Sequence, residues 1–144
     1  MTVEDYISNG FKLVGKMTKD YKIGKKKHNV YVTYNDENFD PLKKKGVYII
    51  AEKDKVLKIG ESENLKHRFQ CYESHTGNTN IFVRESMIEH VKYDVYFIEC
   101  PSYVVGFAGV QVDTGISYKA LEKQLLRQYK KAIGSVPIWN KGIQ

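Results

Sequence analysis

Apolar and polar positions change period along this chain, and each change marks a predicted element. Thr2 with Asp5 three residues on has the form of a helix start, and Asn9-Gly10 that of a stop, so 3–8 reads as one or two helical turns. Tyr31 to Tyr34 reads as a strand and Asn35 to Pro41 as a polar loop. Gly46-Val47-Tyr48-Ile49-Ile50 is an unbroken β-branched and aromatic run, while Val56 to Gly60 alternates, so both predict strands. Ala51 to Lys55 between them has the length of a five-residue hairpin loop. Closed symmetrically about Lys53, that loop sets Tyr48 directly opposite Lys58 on one face of the sheet. A slip of one residue would send the two side chains to opposite faces.

Beyond the hairpin, Ser62 can cap a helix reaching about Tyr72, with Leu65, Phe69 and Tyr72 on its buried face and Arg68 at the edge of that face. Residues 73–80 read as a loop, Ile81 to Val91 as a second amphipathic helix, and Asp94 to Glu99 as a third strand. Val104 to Phe107 and Val110 to Val112 suggest a small hairpin. The last helix, Tyr118 to Ile133, is capped by Ser117 and stopped by Gly134. At 100° per residue, Tyr118, Leu121, Leu125, Leu126, Tyr129 and Ile133 share one face, and Lys119, Lys123, Arg127, Lys130 and Lys131 lie opposite. Glu122 falls within the apolar face. A carboxylate there requires a cation, hydrogen-bond donors or a proton; Arg68, Lys58 and a bound metal are the candidates, and a structural salt bridge would satisfy the same requirement. Pro137-Ile138-Trp139-Asn140 turns back as a tail, with Trp139 as its anchor.

The chain has 144 residues, enough for one core, and its 23 basic against 17 acidic residues give a net charge of +6. That surplus suits a polyanionic partner. Residues 1–45 carry ten lysines against six acids, and from Lys12 to Lys27 the lysines are interleaved with Leu13, Val14, Met17, Tyr21 and Ile23. This stretch reads either as a solvated basic extension or as a phosphate-contacting arm. The two cysteines, Cys71 and Cys100, lack metal-site spacing and read as structural thiols; Cys71 with His75 makes only two ligands. No apolar run approaches the roughly 18 residues of a membrane span, and no signal core opens the chain, so a cytoplasmic protein without a membrane partner is expected.

Gly46-Val47-Tyr48, Lys58-Ile59-Gly60 ten residues later, Arg68 ten beyond that, Glu122 on a late helix and Asn140 after Pro-x-Trp together resemble the GIY-YIG endonuclease superfamily. The match covers 46–140. The resemblance implies an α/β (α+β) fold, a small antiparallel sheet flanked by helices, as a nuclease-like domain over 46–144 with a basic N-terminal extension over 1–45. It implies a metal-dependent DNA endonuclease using Mg²⁺ or Mn²⁺, of phage, mobile-element or restriction origin. Tyr48 would be the catalytic tyrosine, Arg68 the phosphate-binding arginine, Glu122 the metal ligand and Asn140 the carboxy-terminal asparagine. Lys58 stands where the second motif usually has tyrosine, as in a phage-associated branch and some restriction enzymes. It would stand beside Tyr48 and favour its phenolate, the base that activates water. Lys22, Lys25, Lys26, Lys27, Lys66 and His67 are the expected DNA contacts. A homodimer is the assembly that double-strand cutting would call for. The segment 101–116 is longer than the family core requires. The rival readings are a DNA-binding module without catalysis and a nuclease for RNA or branched DNA.

Overall fold

The computed structural model describes residues 1–20, 29–35, 44–74, 78–100, 104–107, 110–113 and 117–141. Its centre is a five-stranded antiparallel sheet in the order β2-β1-β5-β3-β4. The strands are β1 (Lys12–Asp20), β2 (Asn29–Tyr34), β3 (Gly46–Glu52), β4 (Lys55–Ser62) and β5 (Lys92–Glu99). β3 is paired on both sides and covered on both faces, which is why its sequence is a continuous apolar run with no alternation.

Helices cover the two faces. α2 (Leu65–Ser74) and α3 (Asn78–Ser86) lie over Met17, Tyr48, Ile50, Tyr93, Val95 and Phe97, with Leu65, Phe69, Tyr72 and Val83 pointing into the core. α1 (Val3–Ser8) and α4 (Tyr118–Ile133) cover Val47, Ile49, Ala51, Val56, Ile59 and Tyr96 on the other face. The small hairpin is present as β6 (Val104–Phe107) and β7 (Val110–Asp113), and a 3₁₀ turn at Ile138–Asn140 buries Trp139 against Tyr93. The expected α+β architecture, a small antiparallel sheet flanked by helices, is therefore the observed one.

The segment before Gly46 is not hung outside this sheet. β1 sits between β2 and β5, and so joins Lys12–Asp20 and Asn29–Tyr34 to the strands that follow. Its lysines occupy strand positions. Lys16 faces its cross-strand partner Asp94 and bonds its carboxylate at 2.7 Å, while Lys19 turns inward and donates to the Arg84 carbonyl at 2.7 Å. Lys22, Lys25, Lys26 and Lys27 lie outside the described residues.

Two helices also differ from expectation in their limits. Asn64, not Ser62, caps α2: its Oδ1 accepts from the His67 N–H at 3.0 Å, while Ser62 closes β4 and accepts from the Asn64 N–H. α3 starts three residues earlier than periodicity predicts and stops at Ser86; Met87 still packs in the core, but from the turn that follows. There His90 adopts φ 67°, which no helix accommodates.

Candidate active site

The site is built on the β3–β4 hairpin, and its register differs from the symmetrical one. Glu52 pairs with Lys55 across a two-residue turn at Lys53-Asp54, in which Lys53 has φ 53°. One bulge follows, since Ala51 pairs with Val56 but Ile50 with Lys58. Tyr48 therefore faces Gly60, and Lys58 faces Ile50. The offset from the expected Tyr48–Lys58 pairing is two residues, an even number, so Lys58 remains on the same face as Tyr48 as its diagonal neighbour.

Gly60 allows the tyrosine to lie where it does. A Cβ at Gly60 would run into Cζ and Oη of Tyr48. With that space open, the Tyr48 ring crosses β4 and meets α2, packing on Phe69 at a centroid distance of 5.3 Å and placing its hydroxyl 2.7 Å from that of Tyr72. Arg68 arrives from the same helix and Glu122 from α4 on the opposite face, reaching round the edge strand. Tyr48, Lys58, Gly60, Glu61, Arg68, Tyr72 and Glu122 line one cleft of about 220 Å³. A second recess of about 320 Å³ shares its Glu61 and Arg68 walls and continues over Ser62, Glu63, Asn64, His67, Tyr118 and Lys119.

Burial sets the protonation states. Lys58 is 2% exposed, and burial, then Arg68, lower its pKa to about 8, partly offset by Glu122. Tyr48, 1% exposed, is pushed up to about 12 by burial. Arg68 and the Tyr72 hydrogen bond are the groups that ease its ionisation, while Glu122 and Glu61 oppose it. Burial thus moves the two groups in opposite directions, lowering the pKa of Lys58 and raising that of Tyr48. Burial and the neighbouring Glu61 carboxylate raise the Glu122 pKa; Lys58, a hydrogen bond from the Glu61 backbone N–H, and Arg68 pull it back.

Asn140 acts on backbone. Its Oδ1 accepts from the Ile59 N–H at 2.9 Å and its Nδ2 donates to the Ile59 carbonyl at 2.8 Å, all buried. β4 is an edge of the sheet, and the side-chain amide takes the place of a sixth strand at that residue. Lys66 is half-buried and His67 exposed on the outer turn of α2. Sequence reasoning assigned Tyr72 only to the core and gave Glu61 no role. Tyr72 stands one helical turn after Arg68, a spacing that puts both on neighbouring sides of α2.

A hard divalent cation suits this donor set. Glu122 and Glu61 bring two carboxylates close enough to raise the proton affinity of one of them, and a divalent cation would relieve that repulsion. A separate acidic cluster, Asp20, Glu89 and His90, lies at the end of β1, away from the cleft. There the two His90 ring nitrogens point to different carboxylates, each at 3.3 Å. Among the described residues, no helix is long and apolar enough to cross a membrane.

No family model and no curated protein matches the chain. Solved structures similar to it include the following two. Restriction endonuclease HPY188I in complex with product DNA gives a TM-score of 0.61 at 19% identity, covering 96% of this chain and 84% of that one. A mutant of bacteriophage T4 EndoII gives 0.61 at 17%, covering 97% and 99%. The chain has the fold of these two proteins.

Proposed function

We propose that this chain is a DNA endonuclease of the GIY-YIG kind that hydrolyses phosphodiester bonds in the cleft at the edge of β4. The observation that carries the reading is the convergence of Tyr48, Lys58, Arg68, Tyr72 and Glu122 round that cleft from both faces of the sheet. The likeness to a restriction endonuclease structure that holds product DNA supports DNA as the substrate, and restriction or phage biology as the origin.

Glu122, with Glu61 beside it, would hold Mg²⁺ or Mn²⁺, which when bound offsets charge on the leaving 3′ oxygen. The Arg68 guanidinium donates to the non-bridging phosphate oxygens as charge gathers there. Lys58, with a pKa of about 8, is the group best matched to take the proton from the attacking water. Tyr48 keeps its proton and shares a hydrogen bond with the Tyr72 hydroxyl within the cleft. Asn140 holds the Ile59 backbone, and with it the direction of Lys58 and the opening left by Gly60. It is a positioning residue in this scheme.

Incubation with supercoiled plasmid tests the reading. Nicked or linear products are expected with Mg²⁺ and none with EDTA, and Glu122→Gln should bind DNA yet leave the plasmid intact. Retarded but uncut plasmid at every Mg²⁺ concentration would make the chain a binding module instead. Cleavage by Glu122→Gln at more than a tenth of the parent rate would remove Glu122 from the mechanism.

A further inference from the structure

The outer face of α4 carries five exposed cations, Lys119, Lys123, Arg127, Lys130 and Lys131. Lys119, Lys123, Arg127 and Lys131 follow one another at four-residue steps, so each is the axial neighbour of the next. Like charges at that spacing destabilise a helix, and along this row only Lys131, in the last turn, gains from the helix dipole. Its one acid, Glu122, is turned into the cleft. Among the described residues, none of the five is seen in an ion pair. Lys119 is also misplaced with respect to the helix dipole, since it occupies the first turn, where the exposed N–H groups favour an anion and no acid is present. Four features thus work against this row of charges in the isolated protein: three like-charge steps and one adverse terminus.

The row also has a direction. Lys119 lines the recess that shares its Arg68 wall with the candidate active site, so the cations begin beside the cleft and lead away from it. From Lys119 to Lys131 a helix advances about 18 Å, the length of about five phosphates on one strand of B-form DNA.

We propose that this face of α4 is the track for the DNA backbone flanking the cut. The inference rests on the reading of DNA as substrate and adds where the duplex lies. It places non-specific affinity on the helix that supplies Glu122, so binding and metal-ligand placement are joined by one rigid element.

The test uses full-length protein carrying Glu122→Gln, to suppress cutting, and a labelled duplex whose binding is followed by anisotropy across a range of salt. In that background the triple variant Lys123→Gln, Arg127→Gln, Lys131→Gln should flatten the slope of log affinity against log salt by about two to three, at about 0.9 per lost phosphate contact. The control pair Lys53→Gln, Lys55→Gln, exposed on the β3–β4 turn, should leave the slope unchanged. The triple variant should also melt at or above the temperature of its parent, since it loses like-charge neighbours, and so separates lost contacts from lost folding. An unchanged slope in the triple variant, or an equal loss in the control pair, overturns the inference. Binding to anionic lipid vesicles with no binding to the duplex overturns it as well. The outcomes remain distinct from those for cleavage: plasmid cutting with an unchanged slope rejects the track alone, whereas a flattened slope without cutting rejects the nuclease and keeps the track.

Discussion

A lysine withdrawn from water is costly at neutral pH, and Lys58 is such a lysine. Its pKa is 10.5 in the unfolded chain and about 8 in the fold. Between these values the unfolded state carries a proton that the folded state lacks, so stability rises as pH climbs from about 8 to 10.5. Below about 8 the whole penalty is present, up to about 3 kcal/mol. Lys58→Met should therefore raise the melting temperature at pH 7 while removing plasmid cleavage, the pattern of a group kept for function against stability. The same variant separates the two candidate bases. If Lys58 takes the proton from water, the parent rate climbs with pH to a plateau above about 8, and Lys58→Met stays inactive in alkaline buffer. Recovery of Lys58→Met at high pH would return the base role to Tyr48. At Gly60 the argument is steric. Gly60→Ala presses a methyl against a ring already fixed by Phe69 and Tyr72. It should cost about 1–3 kcal/mol of stability and about 100-fold in cleavage rate through displacement of the phenol, with the circular dichroism spectrum retained.

Among the elements, those with both a clear period and an end signal were legible in the sequence. α4 has an apolar face, Ser117 accepting from the Ala120 N–H at its start and Gly134 in the left-handed conformation at its end, and its limits follow from these. β1 was not legible, because its lysines are spaced like a solvated tail. What makes it a strand is tertiary: Asp94 across the ladder for Lys16 and the Arg84 carbonyl for Lys19. The hairpin register was missed for a related reason. The loop residues have no strong turn signature, and a bulge depends on packing that a list of residues does not display. The face shared by Tyr48 and Lys58 survived because two residues of slip restore it, and the approach of Glu122 was foreshadowed by a carboxylate within an apolar stripe. Tyr72 was hidden among the core residues by its spacing. The edge of β4 supplies a prediction at this scale. Asn140→Ala frees both backbone groups of Ile59, so hydrogen exchange at the Ile59 amide should accelerate more than tenfold, with a loss in kcat larger than any change in DNA affinity. Unchanged exchange would mean the amide pair does not hold the strand.

Across the whole molecule, the sheet order decides what can be removed. β1 lies inside the sheet, between β2 and β5, so deletion of residues 1–27 takes out an internal strand together with α1. The truncated chain should lose cooperative thermal unfolding, as read by circular dichroism, where a detachable arm would leave the melting transition in place. The lysines of that segment therefore have to be probed by point substitution.

The bond between Asn140 and Ile59 spans a sequence separation of 81 residues. It joins the last site residue in the chain to the middle of the hairpin that holds Tyr48 and Lys58. In terms of assembly order, the hairpin and α2 are local and can form early, whereas fastening the edge strand waits for a loop closure of that length. A chain still emerging from the ribosome then holds the hairpin and α2 without the side chain that fastens the outer edge of β4. On the proposed nuclease reading, cutting competence is the last property that folding delivers.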